Sequence, residues 1–406
     1  MSLQSPLIRA ADPAFEVMCL AARLEFSSNE AAQTKKLVSQ GVDWPRFLAS
    51  VERNYVAPLV HRNLKAIADS GVPAKVLDTL RVRSKITAFK NETFAAELAR
   101  LSQVFESIPI RALNYKGAVT AEEYYGSISL RNFNDLDFLV HRNDMPALIE
   151  VLQLQGYQNS ADLSAKEFEH YIAEFKEFLF TRGEISIEPH WSLTARRYPF
   201  DVNFEELWKR SRTLKFRGSD LRVMSGEDSL LVLCVVGAKG KWQRLQMVTD
   251  VAACVRTFPN LDWVSVEATA RATGTVRILH LGLFLATELS GAQLPGGLTR
   301  NISKDGTVPK LARNVARALK VAPHPRRFLP DSPSIFSPML FRQRERYRDR
   351  WLYFWRTTTT PEPVHLRRLP LPKLGFPLYW IFVPLHDFLM YPLWRFAKTT
   401  IARSRL

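Results

Sequence analysis

The sequence predicts an α+β fold in which a small mixed β-sheet core is flanked by N- and C-terminal helical regions. Three observations carry this. Apolar residues recur at three- and four-residue spacing through residues 1–110 and again through 216–320, the period of amphipathic helices. Between them, residues 111–215 read as strand, helix, strand, helix and hairpin, an α+β order. Residues 321–406 differ again, holding 12 of the 24 prolines and 15 Lys/Arg against five Asp/Glu, so +10 of the net charge of +16 lies in this tail.

Taken in order, residues 14–26, 44–57, 55–70 and 75–107 read as helices, the last through Val76, Leu77, Leu80, Leu98, Leu101, Val104 and Phe105. Asp43 and Asn91 suit caps or polar-face positions. A strand at 111–115 leads to a helix at 119–125, then a strand ending in Phe138-Leu139-Val140. A helix at 145–155 follows, with Asp144 as its N-cap, Pro146 in its first turn and Gly156 at its end. After residues 167–173 comes a hairpin over 175–191, with Arg182-Gly183 as its turn. Residues 227–236, 242–256 and 276–290 are helical, and Ser303-Lys304-Asp305-Gly306 reads as a loop.

The chemistry concentrates in residues 114–140, NYKGAVTAEEYYGSISLRNFNDLDFLV. Asp135 and Asp137 lie two apart at a strand, so both side chains leave one face while Leu136 and Phe138 enter the other. Parallel carboxylates at the end of a buried strand make a cation site. Gly117 lets the backbone turn sharply and approach a phosphate, and Lys116 beside it can neutralise charge. In 184–191, EISIEPHW, Glu188 and His190 share the face opposite Ile185 and Ile187. If this hairpin pairs beside the aspartate strand, Glu188 becomes a third carboxylate of the same site.

At these residues the chain resembles the nucleotidyltransferase superfamily, and within it a bacterial branch of uncharacterised nucleotidyltransferase proteins. The resemblance rests on Lys116-Gly117, Tyr125, Arg131, Asp135-Leu136-Asp137-Phe138-Leu139-Val140, Gly156-Tyr157 and Ile187-Glu188-Pro189-His190-Trp191. It extends from about residue 40 to about residue 385, more weakly outside the centre. It implies a minimal nucleotidyltransferase core at 111–215, with two Mg²⁺ or Mn²⁺ ions and an NTP as substrate. Asp135 and Asp137 would hold the ions, and Glu188 would complete the second and help deprotonate the acceptor. Lys116, the Gly117 backbone and Arg131 would face the phosphates, unless Arg131 simply pairs with a neighbouring aspartate. His190 would support the site by hydrogen bonding, Trp191 would stack on a base or pack in the core, and Lys239 and Asp250 would contact substrate or serve as a helix-surface charge and a cap.

Two departures stand out. The superfamily favours Gly-Ser at the phosphate loop, whereas this chain has Gly117-Ala118. Members of the branch usually show histidines around positions 237 and 240, where this chain has glycines while keeping Lys239, Trp242, Leu245 and Asp250.

Composition excludes other classes. A hydrophobic fraction of 46% is ordinary for a globular chain, and Cys19, Cys234 and Cys254 are too few and scattered for a disulfide frame or a zinc site. The N-terminus carries acids and no long apolar run, and no stretch of 18 uncharged apolar residues occurs, so neither a secretory signal nor a spanning helix is expected. The expected location is cytoplasmic. The tail's aromatics, with Arg395, Lys398 and Arg403 nearby, suit either peripheral contact with an inner membrane surface or packing back on the body.

Three functions stand: a metal-dependent transfer of NMP from an NTP to a hydroxyl or phosphate acceptor with release of pyrophosphate; a catalytically degenerate nucleotide-binding or antitoxin-like module; and a membrane-surface binding protein. A small molecule, a peptide or a sugar phosphate fits as acceptor, and nucleic acid is not favoured.

Overall fold

Local sequence sets the ends of the first helices. The structure, a computed structural model, describes residues 7, 12–160, 171–172, 175–196, 198, 200, 202–320, 336–361, 365, 368–369, 371 and 373–391. The helix expected at 167–173 lies almost wholly outside these residues, as do Arg395, Lys398 and Arg403. Helix α1 (Pro13–Ala21) begins where Asp12 accepts from the Phe15 amide, and α2 (Ser28–Ser39) opens on a reciprocal capping box of Ser27 and Glu30. α3 (Trp44–Arg53) is capped by Asp43, which accepts from the Arg46 amide at 3.1 Å. After α4 (Ala57–Lys65), Pro73 leads into α5 (Ala74–Glu106), 33 residues with no interior glycine or proline.

α5 joins two cores. Val76 and Leu80 pack with the other N-terminal helices, whereas Phe94, Ala95, Leu98, Leu101 and Phe105 pack on the sheet at three- and four-residue spacing. Asn91, expected at a cap or on the polar face, is instead fully buried. Its amide donates to Ile128 O at 2.6 Å and Arg131 O at 2.7 Å, satisfying two buried carbonyls that strand pairing does not reach.

Seven strands form one mixed sheet: β1 (Ala112–Asn114), β2 (Leu136–Val140), β3 (Gln158–Asn159), β4 (Phe180–Arg182), β5 (Ile185–His190), β6 (Arg212–Phe216) and β7 (Ser219–Val223), in spatial order β3-β4-β5-β2-β1-β7-β6. β2 is buried along its whole length, antiparallel to β1 and parallel to β5. α6 (Ala118–Tyr125) and α7 (Met145–Leu154) follow β1 and β2. Asp144 stands at the N-cap of α7 without bonding to it, because it ends a 3₁₀ turn with helical angles (φ −87°, ψ −8°), whereas a capping side chain needs an extended backbone. The β4–β5 turn falls at Gly183-Glu184, one residue later than expected, with Gly183 supplying φ 58°.

Beyond α8 (Phe204–Arg210), the β6–β7 hairpin turns on Arg217-Gly218, both at positive φ, and carries the sheet to Val223. The helical run expected from residue 216 therefore starts only at α9 (Gly226–Lys239), followed by α10 (Leu245–Thr257), α11 (Trp263–Thr273), α12 (Val276–Ser290), α13 (Gly296–Lys304) and α14 (Thr307–Lys320). The expected loop at 303–306 shortens to Asp305-Gly306 between two helices. The helices before and after the sheet share one core, and Asn54 ties them by accepting from Leu245 N at 2.8 Å on its side chain and Gln246 N at 3.2 Å on its carbonyl.

Residues 336–361, with α15 (Pro338–Arg342) and α16 (Tyr347–Thr359), belong to this body. Arg344 is fully buried with its guanidinium 4.5 Å from the Tyr198 ring centre. Glu345 accepts from Val276 N and Arg277 N, closing the otherwise uncapped N-terminus of α12. Farther on, α17 (Tyr379–Leu385) meets α16 through Trp355 and Trp380, ring centres 6.0 Å apart. Among the described residues no helix is long and apolar enough to cross a membrane.

Candidate active site

The loop from β1 into α6 has a geometry that only glycine accepts. Gly117 occupies the N-cap of α6 at φ 59° and ψ −123°, and a Cβ there would stand 3.1 Å from the Asp135 carbonyl. No side chain caps α6, so its first amides open onto the loop, an arrangement suited to an anion. The sharp turn is thus made by the Gly117 backbone, with alanine following at 118.

Opposite this loop, β2 and β5 run parallel with Asp137 beside Glu188 and Leu139 beside His190. Neighbours in register share a face, so Asp137, Glu188 and His190 project together, and their donor atoms lie within 4.8 Å of one another. Asp137 Oδ1 receives Lys116 Nζ at 2.9 Å and His190 Nε2 at 2.8 Å. Asp135 lies one residue before β2, half-buried and outside that close group. The pair of aspartates expected on one face is thus unequal: Asp137 is fixed in the sheet, and Asp135 borders it from the loop.

Charge is crowded here in both signs. Burial pushes Asp135 up to about 6, helped by Asp137 and Glu188. Glu188 is raised by burial and by Asp137. Burial would raise Asp137 too, but Lys116 and the His190 hydrogen bond outweigh it and hold the carboxyl well below its usual range. Burial lowers His190 to about 3, with Nε2 at 2.8 Å from Asp137 Oδ1 and Nδ1 at 3.4 Å from Lys176 Nζ. Lys176 is itself lowered to about 6 by burial, Lys239 and Lys116, and Lys239 to about 8 by burial and Lys116. Three lysines therefore flank three carboxylates, with positive repulsion on one side and negative repulsion on the other. A polyphosphate would relieve the first and a divalent cation the second, and carboxylates are the hard oxygen donors that Mg²⁺ or Mn²⁺ takes.

The remaining sequence-derived residues divide. Lys239, at the end of α9, is brought to the site. Arg131 and Asp250 are brought to each other: Nε and Nη2 meet the two carboxylate oxygens at 2.8 and 2.9 Å, and Tyr125 OH adds a bond to Oδ1 at 2.7 Å. Arg131 Nη1 also donates to Gly117 O at 3.4 Å, so this buried knot holds the loop from behind. Trp191 packs against Phe178 and donates its indole N–H to Ile172 O at 2.8 Å. Gly237 and Gly240 carry no site chemistry. A Cβ at 237 would stand 2.4 Å from the Trp242 ring and one at 240 would stand 2.9 Å from Met247 Cε.

Sequence reasoning missed Lys176 and Glu177. The Glu177–His190 bridge brings them against the His190 ring, with Glu177 Oε2 at 3.0 Å from Nδ1. A turn assigned to Gly183-Glu184 rather than one residue earlier would have aligned Glu177 with His190.

Comparison with known families places these observations. The profile of a family described as an uncharacterised nucleotidyltransferase matches residues 40–291, from just before α3 to the end of α12. No curated protein matches the chain.

Proposed function

The chain belongs to this uncharacterised nucleotidyltransferase family and is a transferase, and we propose from that premise that it moves NMP from an NTP to a hydroxyl or phosphate acceptor in a Mg²⁺- or Mn²⁺-dependent reaction. The observation that carries this reading is the parallel register of β2 and β5, which sets Asp137 beside Glu188 across from the open N-terminus of α6. Asp137 and Glu188, with Asp135 at the rim, would hold two divalent ions that neutralise the triphosphate and acidify the acceptor hydroxyl.

The chain's own groups supply the rest. Lys116, the first amides of α6, Lys176 and Lys239 bind the phosphates, and the Arg131–Asp250 pair positions the loop. The acceptor oxygen forms a bond to the α-phosphorus while the bond to the pyrophosphate oxygen breaks. Its proton passes to the Glu188 carboxylate, whose raised affinity for protons suits a base. His190 keeps Asp137 oriented through Nε2–H. The core from residue 111, extended through β7 to Val223, is the proposed catalytic unit, working between the helical regions at 1–110 and 226–320.

The test is incubation of the purified protein with each NTP, Mg²⁺ or Mn²⁺ and a lysate, reading pyrophosphate release and adduct mass. Asp137→Asn and Glu188→Gln should each lower turnover roughly 100-fold or more while the circular dichroism stays unchanged. Full turnover in both variants would end the enzyme reading. NTP binding with no pyrophosphate release from any acceptor would support the degenerate nucleotide-binding module instead.

The tail supports an accompanying membrane contact. Trp351, Trp355, Trp380, Ile381 and Phe388 are exposed on a strongly basic segment, as an anionic lipid surface requires. Co-sedimentation with anionic vesicles at low salt should fall in Trp380→Glu, and no binding by the full chain would remove this reading.

A further inference from the structure

Beyond the family match, the tail is built inside out. Phe388, Leu389 and Met390 are half-exposed, whereas the adjoining His386 and Asp387, together with His365, are buried. Apolar groups facing water while two imidazoles and a carboxylate face inward reverses the usual sorting, so the buried trio needs its own source of stabilisation.

Its donor atoms converge. His365 Nε2 and His386 Nδ1 each lie 2.7 Å from Asp387 Oδ1 and 3.2 Å from each other, and all three lie within 4.8 Å. Two N–H groups aimed at one oxygen point their hydrogens toward each other, an arrangement that a cation in their place removes. The chain also widens into a π-helix over His386–Met390, at the ligand residues themselves, and such widenings recur at functional sites. The rings of Phe382 and Tyr391 lie 5.7 and 6.3 Å from His386.

We propose that His365, His386 and Asp387 form a metal site separate from the carboxylates of the sheet, taking a borderline cation of the zinc class. Two nitrogens and one carboxylate oxygen form a donor set that zinc accepts and Mg²⁺ does not favour. A tetrahedral ion with ligands at about 2.0–2.1 Å spaces its donors about 3.3 Å apart. The nitrogen–nitrogen edge of 3.2 Å already fits, and the two 2.7 Å edges must open by roughly 0.6 Å. With three protein ligands, a tetrahedral zinc takes water as the fourth. Bound there, zinc clips residue 365 to residues 386–387 and fixes the segment that carries the exposed aromatic face.

One contact has to change. Arg368 Nη1 lies 2.7 Å from His386 Nε2, and an arginine only donates, so without metal Nε2 accepts and the proton resides on Nδ1. Zinc on Nδ1 moves that proton to Nε2, and the exposed Arg368 side chain must turn away. Arg368 and zinc therefore compete for His386.

The experiment uses the full chain, stripped with a chelator and titrated with Zn²⁺, with bound metal read by elemental analysis and Co²⁺ as a spectroscopic substitute. Wild type should hold one equivalent more than His365→Ala and Asp387→Asn, the latter nearly isosteric and so carrying the test if alanine disturbs the tail. Arg368→Ala should bind zinc more tightly. Equal metal content in wild type and Asp387→Asn, or weaker binding in Arg368→Ala, overturns the proposal. Asp137→Asn and Glu188→Gln should keep the tail equivalent, so the result is independent of whether the chain turns over NTP.

Discussion

The Arg131–Asp250 pair decides whether Arg131 serves the fold or the substrate. Its geometry is bidentate, at 2.8 and 2.9 Å, and the two residues are 8% and 4% exposed. Opposite charges about 4 Å apart attract by about 4 kcal/mol at the effective dielectric of protein interiors. Asp250→Asn leaves the guanidinium buried without its counter-charge, and Arg131→Met leaves the carboxylate with only Tyr125. Each should cost about 3–5 kcal/mol, a large share of a typical total stability of about 5–15 kcal/mol. The double variant removes both charges and should cost far less than the sum. Urea unfolding followed by fluorescence and circular dichroism gives all four corners of the cycle. Additivity within about 0.5 kcal/mol would refute the pairing. NTP affinity supplies a second check: the double variant, which keeps Lys116 and the α6 amides but loses the bond to Gly117 O, should weaken NTP by less than roughly 10-fold, whereas an Arg131 that met phosphate would lose roughly 10- to 150-fold.

Lys116→Ala should weaken NTP by roughly 10- to 150-fold and NMP much less, because the lost contact is to the outer phosphates. The same variant should bind Mn²⁺ more tightly in the absence of nucleotide, since Lys116 Nζ competes for Asp137 Oδ1, and paramagnetic titration reads this directly. Gly237→Ala should lower stability by about 1–3 kcal/mol through overpacking against Trp242, and a neutral thermal melt would contradict the wedge. Glu97 gives a pH dependence. Burial raises it, but Arg100, Tyr157 and Arg182 outweigh burial and lower its carboxyl below the ordinary value. Its contribution is therefore full above the unfolded value of about 4.3 and is lost as pH falls through the lower folded value. Glu97→Gln should flatten the acid side of the stability curve, and an unchanged acid midpoint would show the cluster to be inert.

What the sequence revealed and what it hid follow from the range of the interactions. The β2 strand and the hairpin were legible because alternation within a few residues sorts Leu136 and Phe138 from Asp137, and Ile187 from Glu188 and His190. Their side-by-side pairing was a condition the sequence could state but not supply, since it depends on a crossover of 44 residues, 141–184, between the end of β2 and the start of β5. Arg131 and Asp250 are 119 residues apart, and nothing local marks either as the other's partner. Lys176 was hidden by a one-residue error in the turn, which shifts every cross-strand neighbour. The β6–β7 hairpin has a local signal, Arg217-Gly218 between two alternating runs, but the helical periodicity that begins a few residues later is the stronger pattern.

The two glycines at 237 and 240 bear on the function most directly. Read alone, the absence of histidines at these positions resembles loss of a site. In the fold, Trp242 is fully buried between Gly237 and Gly282, its backbone at φ 52°, and any side chain at 237 would have to displace it. The same turn that buries Trp242 follows directly on Lys239, which feels the charges of Asp137 and Glu188 from the end of α9. The space beside Gly237 is filled by the Trp242 indole, so it has no room for a polar side chain. If histidine at 237 were still required for catalysis, Gly237→His would raise turnover at the expense of stability. On the packing argument it should lower both.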